Sequence, residues 1–160
     1  MTLWKETDDW TYEYFDLDTP AAEFQKFESI VDLWNSKRQG VLLPKRSDFD
    51  FYDFKGWLGK INLTTVSYDP FSYTYILFGT HSVDIFGAEH TGKTGAEVDA
   101  THGFPEEDTI FYEMTCTHKK ISLVSGSFTH EGLGRSKAVF LELPLSEDGE
   151  TVTHTIEIAL

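Results

Sequence analysis

The spacing of apolar residues changes along the chain, and each change marks a different kind of element. Phe24, Phe27, Ile30, Val31 and Trp34 recur at three- and four-residue steps, the period of a helix with one buried face. Thr19-Pro20 supplies an N-cap and a first helical residue, and Gly40 a stop, so the pattern predicts a helix over 19–39. Pro44 then pushes Leu43 into an extended conformation, and Ser47 or Asp48 can cap a short turn through Phe54, Trp57 and Leu58. From Ile61 the period shortens. Ile61–Tyr68 and Tyr73–Phe78, rich in Thr, Tyr, Ile and Val around Asp69-Pro70-Phe71-Ser72, predict a β-hairpin. The glycines and Pro105 between 79 and 105 leave room only for short helical turns, and 106–120 reads as a longer helix with acids first and Lys119-Lys120 last. Three strands follow, at 121–128, 136–143 and 151–160, with turns at Gly132-Leu133-Gly134 and Ser146-Glu147-Asp148-Gly149. In the last strand Val152, His154, Ile156, Ile158 and Leu160 share one face, and Thr151, Thr153, Thr155 and Glu157 the other.

This order predicts an α+β domain with an antiparallel sheet. Its size agrees: 160 residues, 40% hydrophobic and 15% aromatic, suffice for one packed core. Charge adds a function class to exclude. A formal −14 repels phosphate backbones, so no nucleic-acid partner is expected. Acids concentrate at 1–18, where six face Lys5, and bases at 36–60, where six face Asp48, Asp50 and Asp53. These are read as solvated surfaces, or as an acidic arm docking on a basic segment of the same or a second copy. A single Cys116 excludes an internal disulfide. No apolar stretch resembles a secretory signal or a membrane span, so a cytoplasmic domain without membrane contact is expected.

A set of short motifs adds to this reading. Asp32-Leu33-Trp34, Leu43-Pro44-Lys45-Arg46-Ser47-Asp48-Phe49-Asp50 and Trp57-Leu58-Gly59-Lys60-Ile61 are followed by Gly79-Thr80, Gly87 with Thr91-Gly92-Lys93, and Leu141-Glu142-Leu143-Pro144-Leu145-Ser146. In order and spacing the set resembles a bacterial family of small stand-alone PAS-like proteins, across about residues 28–158. The family tends to carry Arg just before the Gly-Thr pair, where this chain has Ile76, so a ligand read by that arginine is not expected. The resemblance implies a five-stranded antiparallel sheet with helices on one face and an N-terminal flanking helix. It divides the chain into an acidic, aromatic arm at 1–18 and one PAS-like domain at 19–160. It also implies a sensory, ligand-binding or protein-interaction module, not an enzyme, whose output passes through a separate protein.

The chemistry-bearing motifs are few. Gly87-Ala88-Glu89-His90-Thr91-Gly92-Lys93-Thr94 fits the phosphate-binding G-x-x-x-x-G-K-[ST] pattern, the basis of an alternative nucleotide-binding or enzymatic reading. That pattern needs a buried strand before it and a sustained helix after it, and 80–105 offers neither. His81, His90, His102, His118, His130 and His154 show no tight metal-ligand spacing, so no metal site is predicted. Haem-binding PAS domains place an axial ligand near Cys116 and His118, but spacing singles out neither. No cofactor is identified, and no coloured one is expected. Asp48, Asp50 and Asp53 read as helix caps or partners of Lys45 and Arg46. No nucleophile–base pair stands out.

A ligand is expected between the sheet and the short helices. Its candidate contacts are Tyr75 and Leu77 (or Ile76 and Phe78 in the opposite register), with Tyr112, Met114, Phe140 and His154. Such a lining suits a small, mostly apolar molecule. The aromatic arm, with Trp4, Trp10, Tyr12, Tyr14 and Phe15, must be covered by something. A homodimer through this arm and the 19–39 helix is one expectation, and folding back on the exposed face of the chain's own sheet is the other.

Overall fold

The computed structural model describes residues 1–130 and 134–160. Among the described residues, seven antiparallel strands form one sheet, in the order β1-β2-β5-β6-β7-β3-β4. They are β1 (Thr2–Glu6), β2 (Trp10–Phe15), β3 (Ile61–Ser67), β4 (Ser72–Leu77), β5 (Ile121–His130), β6 (Gly134–Leu145) and β7 (His154–Ala159). The expected five strands are present as β3 to β7, and the five-strand count is corrected to seven. The addition comes from the acidic arm: β1 and β2 form a hairpin, and β2 pairs with β5 along Trp10↔Gly126 to Phe15↔Ile121. Alternating large aromatics favour a strand, and an unpaired β5 edge is a liability that this hairpin removes. Two residues of the expected turn, Gly132 and Leu133, lie outside the described residues.

Helices cover both faces. A 3-10 segment (Ala21–Phe27) and α1 (Glu28–Arg38) form where one helix over 19–39 is expected; Gln25, at φ 50°, kinks the chain within the 3-10 segment. Phe24, Phe27, Ile30, Val31 and Trp34 are buried against Leu141, Leu143, Ile156 and Ile158. The Trp34 indole N–H donates to the Pro144 carbonyl at 3.0 Å. The opposite face carries α2 (Thr80–Phe86), α3 (Gly95–His102) and α4 (Glu106–Thr117). With both faces roofed, alternation along the central strands no longer separates core from solvent: it separates the core under α1 from a second, largely aromatic core that also holds buried polar side chains.

The arm's rings are covered within the chain. Trp4 packs against Tyr12 and Phe111, Phe15 against Phe24, and Trp10 against Phe104 and Phe140. Gly126 permits this, because a Cβ there would collide with the Trp10 ring and the Asp9 carbonyl. The arm therefore extends the edge of the chain's own sheet rather than folding onto its exposed face, and these rings are covered by the chain itself. The arm's acids also spread further than to the basic segment: Asp18 meets Arg38 at 3.0 Å, but Asp16 meets Lys120 at 2.6 Å and Asp9 meets Arg135.

Candidate functional site

Under α2, α3 and α4 lies a cavity of about 70 Å³. Its floor comes from β2, β4, β5, β6 and β7, through Trp10, Tyr73, Tyr75, Ser122, Val124, Phe140, Glu142 and Glu157. Its roof comes from Phe86, Val98, Asp99, Phe104, Asp108, Phe111 and Tyr112. Local sequence sets these positions. Gly95, the first residue of α3, sits against the Tyr73 ring where any Cβ would clash. Thr94 caps α3 by accepting from the Glu97 N–H at 3.3 Å, and the Glu97 carboxylate accepts from the Thr94 N–H at 2.8 Å.

The polar row of β7 is buried here. Glu142 lies opposite Glu157, and Asn62 opposite Glu157 on the other side, so a polar stripe crosses three adjacent strands. Asn62 donates its amide N–H to Glu157 and accepts from the Gly79 N–H at 2.8 Å, which fixes the direction of the amide. Thr64, Thr155 and the Tyr112 hydroxyl form a buried triad with oxygen separations of 2.6 to 2.9 Å. Glu142 Oε2 is buried without a hydrogen-bond partner among the described residues. Burial pushes the Glu142 carboxyl well above the usual carboxylate range, and the neighbouring Glu157 carboxylate pushes it further. Burial also raises Glu157, against the lowering effect of the Asn62 donor.

Two more acids stand at the roof. Asp108 accepts from the Tyr12 hydroxyl, and burial raises its pKa to about 7. Asp99 accepts from the Thr109 hydroxyl at 2.9 Å and is also raised by burial. Beside them, His90 and His102 face each other with Nε2 atoms 2.8 Å apart, among the rings of Phe86 and Phe104. Burial lowers the His90 pKa.

Of the six candidate contacts, Tyr75, Tyr112 and Phe140 line the cavity. Met114 packs against the same cluster without lining it. Leu77 and His154 are corrected. The β3–β4 register slips by one residue, so that Leu63 opposes Leu77 while Thr64 opposes Tyr75. That bulge turns Leu77 to the opposite face, where it is exposed beside a groove of about 540 Å³ lined also by Phe49, Phe54, Leu63 and Ile76. His154 shares its face with Ile156 and Ile158, as its spacing predicts, but that face packs against α1 rather than the cavity. Thr153 lies 3.0 Å from its Nδ1.

The phosphate-loop segment lacks its context: Gly87 ends α2, so a helix rather than a strand precedes it, and the sheet is antiparallel. The acids at 48–53 act as caps, accepting from the Lys45, Tyr52 and Asp50 N–H groups at 2.7–2.8 Å. Asp53 pairs with Lys37 at 2.7 Å rather than with Lys45 or Arg46. Cys116 is buried and its thiol is pushed up by burial, while His118 is exposed. The side chain of His130 lies outside the described ones. Among the described residues, no group of three or more His, Cys, Asp or Glu is placed to hold a metal ion. No described helix is long and apolar enough to cross a membrane.

No family model matches the chain, and no curated protein does. Among solved structures it is similar to an RNA-binding light-oxygen-voltage receptor, at 10% identity and a TM-score of 0.48 over 63% of this chain. The match spans 29% of that receptor chain.

Proposed function

We propose that this chain is a PAS-like sensory or ligand-binding module that performs no chemistry of its own and holds a small molecule between β2–β7 and the roof of α2, α3 and α4. The observation that carries the reading is Glu142 Oε2, a buried carboxyl oxygen left without a partner at the wall of a cavity. A polar atom in that state costs about 1–3 kcal/mol, more if charged, and a bound molecule offering a donor would remove the cost. The element order supports the PAS-like part: two strands, three helices, then three strands, as the family resemblance implies. Output is proposed to pass through a separate protein.

The test is native mass spectrometry with an absorption spectrum of freshly purified protein. A retained small molecule that Phe140→Ala releases, without a haem or flavin band, is the expected result. A chain of bare mass that no small organic molecule stabilises against heat would refute the reading.

A further inference from the structure

The inference rests on the cavity being a ligand site, and adds the class of ligand. Four carboxyls line the same small space: Asp99, Asp108, Glu142 and Glu157. Among the described residues, none of the four has a Lys or Arg within 4 Å; the ion pairs all lie elsewhere. Asp99 and Asp108 keep one neutral donor each, from Thr109 and Tyr12, and Glu157 takes one from Asn62 and interacts with Glu142. Glu142 is nine-tenths buried; the Thr155 and Tyr112 hydroxyls lie beside its carboxyl, but its Oε2 has no partner among the described residues. Buried carboxyls without cationic partners are costly, so the site is rich in acceptors and short of strong donors.

This surplus of acceptors selects among ligands: an anion would bring more acceptors, and an apolar molecule would leave Glu142 Oε2 unpaired. A metal ion lacks a ligand set among the described residues. The rest of the wall is aromatic, with Trp10, Tyr73, Tyr75 and Phe140, whose ring faces attract cations. Size narrows the class further: at ~10–15 Å³ for one water, about 70 Å³ admits roughly five non-hydrogen atoms.

We propose that the cavity binds a small organic cation of the alkylammonium class, its N–H groups donating to Glu142 and Glu157 and its carbons lying against the aromatic wall. The experiment is calorimetry on the full chain with propylammonium and diaminopropane, each beside its neutral isostere, propanol or propanediol. The amines are expected to bind at least about tenfold more tightly than the alcohols. Glu142→Gln, which keeps the shape and removes the charge, is expected to abolish that preference while circular dichroism stays unchanged. Asp108→Asn, at the roof, provides a second variant and should weaken amine binding alone. Equal binding of amine and alcohol would overturn the cation and leave the ligand cavity standing. Failure of all four probes would overturn the cation as well, and the mass spectrum would then decide on the cavity: a retained neutral molecule keeps it, and a bare chain removes both.

Discussion

Single side chains at the cavity set a pH dependence of unusual sign. Asp108 has its carboxyl raised to about 7, with Tyr12 from β2, Asp99 from α3 and Glu107 from α4 facing it. Between about pH 4 and 7 the folded chain therefore holds a proton that the unfolded chain has released, and stability falls as pH rises through that window. Glu142, Glu157 and Asp99 are raised as well and act in the same direction. Asp16, Asp53 and Glu107 are lowered by hydrogen bonds, but as solvent-accessible surface groups they count for little, and their contribution is lost only as pH falls below about 4. His90 and His154, lowered by burial, oppose the trend below about pH 6.5, though there are two of them against four acids. The melting temperature is expected to rise by about 5 °C from about pH 8 to about pH 5.5, each kcal/mol moving it ~2–4 °C. A fall over that range in a calorimetric scan would contradict the assignment of these carboxyls. Tyr12→Phe removes the donor to Asp108 and is expected to destabilise the fold by about 1–3 kcal/mol at neutral pH, measured by urea unfolding.

At the scale of elements, the N-terminal hairpin and α1 finish the sheet from two directions. Removing residues 1–18 would uncover Phe111, unpair β5 along its edge and take Trp10 from the cavity wall. Such a chain is expected to unfold at a lower temperature and to aggregate through the freed edge. Full stability after truncation, seen in a thermal melt, would show that the hairpin is an accessory. On the other face Trp34 is fully buried and anchored to Pro144, so Trp34→Ala should cost about 3–5 kcal/mol in urea unfolding. These elements also show what the sequence made legible. Helical spacing at Phe24–Trp34 and strand alternation at 151–160 both report true faces, and strands β3 to β7 fall within two or three residues of their expected ends. The seven-strand sheet was not legible, because acids in β1 and β2 mask an alternation that aromatic side chains carry alone.

For the molecule as a whole, the hidden feature is that both faces of the sheet are roofed. Alternation in β7 separates Thr155 and Glu157 from Ile156 and Ile158, and in a one-sided sheet the first pair would face water. Here that row faces the second core and Glu157 lines the cavity; Glu142 and Glu157 are fifteen positions apart and meet only across the β6–β7 register, so no local spacing pairs them. Their signal was present as single acids inside the runs Leu141-Glu142-Leu143 and Ile156-Glu157-Ile158. Leu77 was misplaced by a bulge that no residue pattern announces, and His154 by the choice of which face carried the ligand. The space above Glu142 is where a molecule is proposed to bind. The most direct measurement is a two-dimensional amide NMR titration of the full chain with propylammonium. The account predicts shifts concentrated at Tyr75, Ser122, Val124, Phe140, Glu142 and Glu157, on the strands that line the cavity. Shifts confined to the groove beside Leu77 and Phe49, with the cavity amides unmoved, would contradict it.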